Sequence, residues 1–126
     1  MDTSVIVAAV QKSADRYPKT AALIAGEQQL NYSELMRRAQ SAASHIAEEA
    51  AGDNVGILLP NSLDFVPYFL GGLWAGKTVA VLPTLAPAPL LNFMSAEAEL
   101  AAVFTSPNLA SKLTEAGVPQ IGRAHV

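Results

Sequence analysis

Three short apolar runs at even spacing constrain this chain more than any other feature. Val55-Gly56-Ile57-Leu58-Leu59, Thr78-Val79-Ala80-Val81-Leu82 and Ala101-Ala102-Val103-Phe104 begin at residues 55, 78 and 101. None of them alternates apolar with polar residues, so each suits a strand covered on both faces, as in a parallel sheet. Parallel neighbours need a crossover long enough to hold a helix, and the intervals supply one. The central block is therefore expected to be βαβαβ, and the chain an α/β protein with a largely parallel sheet and flanking helices.

The rest of the chain is read around that block. Ser4 to Arg16 has helical spacing and stops at Tyr17-Pro18. Ala21–Ala25 and Gln29–Tyr32 flank Gly26-Glu27, which predicts an N-terminal β-hairpin with Gly26 at positive φ in the first central position. Ser33 is the expected cap of a helix running to about Ala50, with Leu35, Ala39, Ala42, Ala43, Ile46 and Ala50 on one stripe and Gly52 as its stop. A further helix is expected from Asn61 or Ser62 to Gly76; Pro67 is tolerated if the cap lies at Asp64, because the first turn has amides without internal partners. Ala88 to about Glu99, with Pro89 near the first helical position, and Asn108 to Ala116, followed by Gly117, complete the helices.

Composition excludes several classes of function. A net charge of −3 with no basic stripe argues against nucleic acid. With no cysteine there is no disulfide framework or thiolate metal site, and two histidines make no metal cluster. Met1-Asp2-Thr3-Ser4 begins acidic, unlike a secretory signal, and Pro83, Pro87 and Pro89 interrupt the uncharged stretch from Thr78 to Ala96. The expectation is a cytoplasmic protein without a membrane span.

Candidate functional residues are few, and each has a structural explanation. Phe65, Val66, Phe69, Leu70, Leu73 and Trp74 cover most of one helix and are expected to pack between layers, since burial stabilises by about 1.5–3 kcal/mol per side chain. Asn61, between a strand and a helix, is expected to cap rather than bind a ligand. Gly71-Gly72 lies inside a helix with no Gly-Lys-Ser/Thr after it, so it reads as close helix–sheet packing and not as a phosphate loop. Lys77 is expected to complement the carboxyl end of the preceding helix, and His45 to be solvated near Glu48 and Glu49. Glu97 and Glu99, two apart, do not converge as an acid–base pair, and no Ser–His–Asp or Cys–His set can be assembled. No catalytic, cofactor-binding or metal-ligating residue is assigned.

Several strings, taken in order, resemble the N-terminal region of adenylate-forming (AMP-binding) enzymes, the group that includes acyl-CoA synthetases and fatty acid–CoA ligases. They are Tyr17-Pro18-Lys19-Thr20-Ala21-Ala22-Leu23-Ile24, Leu30-Asn31-Tyr32-Ser33-Glu34-Leu35, Gly52-Asp53-Asn54-Val55, Leu59-Pro60-Asn61-Ser62, Asp64-Phe65-Val66, Phe69-Leu70-Gly71, Ala75-Gly76 and Val103-Phe104-Thr105-Ser106. The resemblance spans about Tyr17 to Pro119. It implies a parent protein that is an ATP-dependent acid–thiol ligase, using Mg2+ to form acyl-AMP from a carboxylic acid and then passing the acyl group to coenzyme A or a phosphopantetheine carrier protein. A fatty acid is the first expectation for the acid, ahead of a nonribosomal peptide adenylation domain. Val81-Leu82-Pro83-Thr84 stands where relatives often have "PLNP", and Ala98-Glu99-Leu100 where they usually have a Ser-Gly-type turn. The family's phosphate loop, resembling "TSGTTG-x-PK", its acidic segment and its C-terminal lysine have no counterpart in these residues. The resemblance thus implies that residues 1–119 are an incomplete N-terminal subdomain, a scaffold inactive alone. The competing expectation is a non-enzymatic α/β binding or interaction module.

The last seven residues, Gln120-Ile121-Gly122-Arg123-Ala124-His125-Val126, can be encoded by CAG ATC GGA AGA GCA CAC GTC. From its second base this is the opening of a widely used short-read sequencing adapter, whose next triplet in frame is TGA. Residues 120–126 are therefore expected to be a non-native tail, and a disordered one, being short and without an apolar pattern.

Overall fold

The apolar runs form parallel strands joined through helices in the computed structural model, which describes residues 4–118 and the backbone of residues 120–121. The elements are α1 (Ser4–Arg16), β1 (Ala21–Ala25), β2 (Gln28–Asn31), α2 (Tyr32–Glu49), β3 (Asn54–Leu58), α3 (Phe65–Trp74), β4 (Thr78–Val81), α4 (Ala88–Glu97), β5 (Ala102–Thr105), α5 (Pro107–Ala116) and β6 (Gln120–Ile121). One sheet has the order β4-β3-β5-β6 and is parallel throughout; β1 and β2 form a separate antiparallel hairpin. Ala25 pairs with Gln28, and Gly26 takes φ 62° in the two-residue turn, the conformation expected of it.

The central strands β3 and β5 are covered on both faces, which is why they lack polar alternation, whereas the edge strand β4 leaves Thr78 and Val81 exposed. On one face Val55, Ile57, Ala102 and Phe104 pack with Ile46 of α2 and Tyr68 of α3. On the other, Leu58, Val103 and Leu82 pack with Leu91 of α4 and Leu113 of α5. Crossovers of one hand that travel in opposite directions along a sheet place their helices on opposite faces. That is the case here: α3 leads from β3 to β4, whereas α5 leads from β5 to β6 at the other edge.

Several boundaries differ from the sequence reading. Asn31, not Ser33, caps α2: its side chain accepts from Glu34 N at 2.8 Å while Glu34 Oε1 accepts from Asn31 N at 2.9 Å. Gly52 does not stop that helix through a left-handed turn, since α2 ends on Ala50 in extended conformation. What requires glycine at 52 is space, because a Cβ there would lie 2.7 Å from Ala101 Cβ. Helix α3 begins only at Phe65 with Asp64 before it, which places Pro67 in the first turn. Helix α4 stops at Glu97, two residues early, and Glu99 turns the chain at φ 52°, a left-handed conformation that usually falls to glycine.

Burial along α3 also differs in detail. Of the six residues expected between layers, Leu70 is buried and the other five are half-buried. Pro67, Tyr68, Gly71 and Gly72 share the deepest face with Leu70, because two glycines bring the helix backbone close to its neighbours. Gly71 packs on α2, with a Cβ position 2.8 Å from Ala42 Cβ, and Gly72 packs on the sheet, 2.6 Å from Val79 Cγ2. The expected helix–sheet contact therefore holds for Gly72 and becomes a helix–helix contact at Gly71.

The expected disorder of the tail does not hold for its first two residues: Gln120 and Ile121 pair in parallel with Val103 and Phe104 as β6. The expected disorder of residues 122–126 lies outside the described residues.

Candidate functional site

Open parallel sheets bind ligands beyond the carboxyl ends of neighbouring strands whose crossovers leave in opposite directions. In this sheet those strands are β3 and β5. The segment after β3 is Leu59-Pro60-Asn61-Ser62, and Ser106 follows β5. Thr105, fully buried, donates from Oγ1 to Leu58 O at 2.8 Å, so its hydroxyl ties the two strand ends together. Asn61 is exposed in a bend and does not cap a helix, contrary to expectation. The oxygen of Ser62 accepts from Asp64 N at 3.4 Å, and Asp64 pairs with Arg38 of α2 at 3.8 Å. Both members of that ion pair are well exposed, which makes it energetically minor.

Behind this end of the sheet lies a polar pair that the sequence did not reveal. His45 is half-buried rather than solvated, and its Nδ1 is 2.7 Å from the Tyr68 hydroxyl. Its ring meets Phe104 edge-on at 5.5 Å between centroids. Burial, with the nearby Asp64 carboxylate adding to it, pushes the Tyr68 phenol up to about 12. The two groups are within hydrogen-bond distance, and which of them donates is set by the imidazole tautomer. Tyr68 carried no motif signal; its position one turn after Asp64 on an apolar helix was the available clue.

The remaining candidates are placed away from that end. Lys77 reaches back across the sheet to a different helix from the one expected: its Nζ donates to Ala50 O at 3.1 Å and Gly52 O at 2.6 Å, closing the carboxyl end of α2. Neither the Glu97 nor the Glu99 side chain has a hydrogen bond or ion pair among the described residues. Among those residues there is also no group of three His, Asp or Glu side chains able to hold a metal ion. The paired glycines, Gly71-Gly72, face Ala42 and Val79 too closely to cradle phosphate. The described residues thus offer no phosphate cradle at the paired glycines and no metal-ligand cluster, and do not fit ATP or magnesium.

Comparison with known proteins places this sheet and its helices in a family. The chain belongs to the AMP-binding enzyme family, whose model matches residues 10–125. It is 35% identical over 100 residues to a linear gramicidin synthase of Brevibacillus parabrevis, covering 78% of this chain and 1% of that protein. To the medium/long-chain-fatty-acid–CoA/3-oxocholest-4-en-26-oate–CoA ligase of Mycobacterium marinum it is 30% identical over 107 residues, covering 83% of this chain and 18% of that one. The fold matches the o-succinylbenzoate coenzyme A synthetase of Bacillus subtilis with a TM-score of 0.80 at 23% identity, over 90% of this chain and 30% of the other. The 126 residues thus span a small part of each of these proteins, and the family is one of adenylate-forming ligases. No helix among the described residues is long and apolar enough to cross a membrane.

Proposed function

We propose that this chain is part of the N-terminal region of the AMP-binding domain of a cytoplasmic enzyme that activates a carboxylic acid as acyl-AMP, with ATP and Mg2+, and transfers the acyl group to a thiol. The observation that carries this reading is the match to the AMP-binding enzyme family over residues 10–125. Its role within that enzyme is scaffold. The β4-β3-β5 sheet and its helices support catalytic segments encoded elsewhere, and the 126 residues alone release no pyrophosphate. Residues 1–119 are the native part of this subdomain on the same reading, and 120–126 the adapter-derived tail.

A fatty acid passed to coenzyme A is the first reading of the substrates, supported by the similarity to the Mycobacterium marinum ligase. The higher identity to the linear gramicidin synthase favours a second one, an amino acid passed to a carrier protein. The experiment is to express the uninterrupted reading frame from source DNA and measure acid-dependent pyrophosphate release with fatty acids and amino acids in parallel. Release with one class assigns the substrate, and no release with either class contradicts the proposal. The same DNA tests the tail, since codons other than the adapter's after Pro119 refute it.

A further inference from the structure

Strand β4 has β3 on one side and no strand among the described residues on the other. We propose that this open edge receives a further β-strand, supplied by the part of the AMP-binding domain that lies outside these 126 residues. The inference rests on the reading of this chain as a piece of a larger enzyme.

Backbone geometry fixes which groups face the open edge. Thr78 N donates to Asp53 O at 2.8 Å and Leu82 N to Ile57 O at 2.9 Å, so alternate amides of β4 point at β3. Ala80 follows the same alternation, whereas Val79 and Val81 direct their N–H groups outward. Edges that stay in solvent are commonly protected by charge, proline or a bulge. Here the strand reads Thr-Val-Ala-Val in unbroken register with β3, and no charged residue occurs from Thr78 to Ala96.

Apolar side chains flank this edge on both faces of the sheet. Val79 lies against Gly72 of α3, and Val81, two residues on, shares that face and is 49% exposed. On the other face, Asn92 of α4 donates to Ala116 O, which turns that side of the helix toward α5. Leu90 lies about 160° round the helix from Asn92, on the flank nearer β4, and Phe93 beside it is 60% exposed. A strand added here would be covered on both faces. That suits an apolar strand from a domain interior better than the half-polar strand of a surface peptide. The chain spans a small part of the relatives it matches, so most of such a domain is left to supply the strand. A strand in the same polypeptide also reaches the edge at roughly millimolar effective concentration, well above a dilute second copy of this chain.

The test is amide hydrogen exchange, read residue by residue by mass spectrometry, on the 126-residue chain and on the protein translated from the uninterrupted source gene. In the short chain Val79 and Val81 should exchange about a hundredfold faster than Ala80 and Leu82, and in the longer protein all four should be slow. Val81→Pro removes one outward donor and leaves the ladder to β3 intact. It should speed exchange at Val79 about tenfold in the longer protein and leave the short chain unchanged. If that variant does not fold, the wild-type comparison decides. Fast exchange at Val79 and Val81 in the longer protein, or no change at Val79 in Val81→Pro, overturns the proposal. Protection of these amides in the short chain overturns it too, and dimeric sedimentation then assigns the edge to a second copy. Pyrophosphate release by the same longer protein separates the two readings. Release with Val79 and Val81 unprotected refutes the added strand alone, and protection without release keeps the strand while the ligase reading fails.

Discussion

His45 and Tyr68 face each other from neighbouring helices, the imidazole Nδ1 lying 2.7 Å from the phenolic oxygen over the ring of Phe104. This polar contact joins α2 to α3 on the face of the sheet that both helices cover. Deleting the hydroxyl leaves a half-buried imidazole nitrogen without its partner. Tyr68→Phe is expected to lower unfolding free energy by about 1 kcal/mol, the usual net worth of one hydrogen bond, as read by urea denaturation.

The same tyrosine gives a pH dependence with a defined sign. Its folded value, raised to about 12, exceeds the ordinary value of 10.0, so the unfolded chain loses this proton first. The contribution to stability is complete below about pH 10 and is lost as pH rises from about 10 to about 12. Ultraviolet titration of tyrosinate should show a late step that disappears in Tyr68→Phe. A wild-type curve with no late step contradicts the assignment.

At Gly71 the backbone of α3 lies close against α2. A methyl group at that position would lie 2.8 Å from both Ala42 Cβ and Ala43 N, and backbone cannot step aside as a flexible side chain can. Gly71→Ala gains up to about 1 kcal/mol of helix propensity but incurs overpacking of about 1–3 kcal/mol. A net loss of stability is expected, measured as a lower denaturation midpoint. A more stable variant would show that the two helices are less tightly apposed.

Lys77 ties the end of α2 to the start of β3 through Ala50 O and Gly52 O. Lys77→Met keeps the aliphatic stem and removes the donors. Hydrogen bonds from charged groups contribute about 1.5–3 kcal/mol when buried, and partial exposure of this residue lowers the expectation to about 1 kcal/mol. Hydrogen exchange should speed up at the amides of residues 50–54, with little change in the hairpin.

The cap of α2 separates two neighbouring residues. Asn31→Ala removes the side-chain half of the capping box and should cost about 1 kcal/mol, whereas Ser33→Ala should be near neutral. Equal effects in thermal melts would contradict the observed cap.

The parts of this fold legible in the sequence are those fixed by local chemistry. The central strands follow from unalternating apolar runs, the hairpin from Gly26-Glu27, and the end of α5 from Gly117, which takes φ 73°. What local pattern missed was settled by partners distant in sequence. His45 looks like a solvated helix residue until Tyr68 and Phe104 close over it, 23 residues further on in the case of Tyr68. Gly52 looks like a helix stop until Ala101 is placed against it, and Lys77 appears to serve its own helix until α2 is packed alongside. The second strand pairing of β5 was hidden because Gln120-Ile121 is too short to show any period. The absence of assigned catalytic residues was read from missing strings, and the structure adds that Gly71-Gly72 has no room for phosphate.

Pyrophosphate–ATP exchange by the protein translated from the uninterrupted source gene tests the central claim most directly. Acid-dependent exchange by that protein, with none by the 126-residue chain under the same conditions, is the expected result. Exchange by the short chain itself, or none by the complete protein with any fatty or amino acid, would contradict the account.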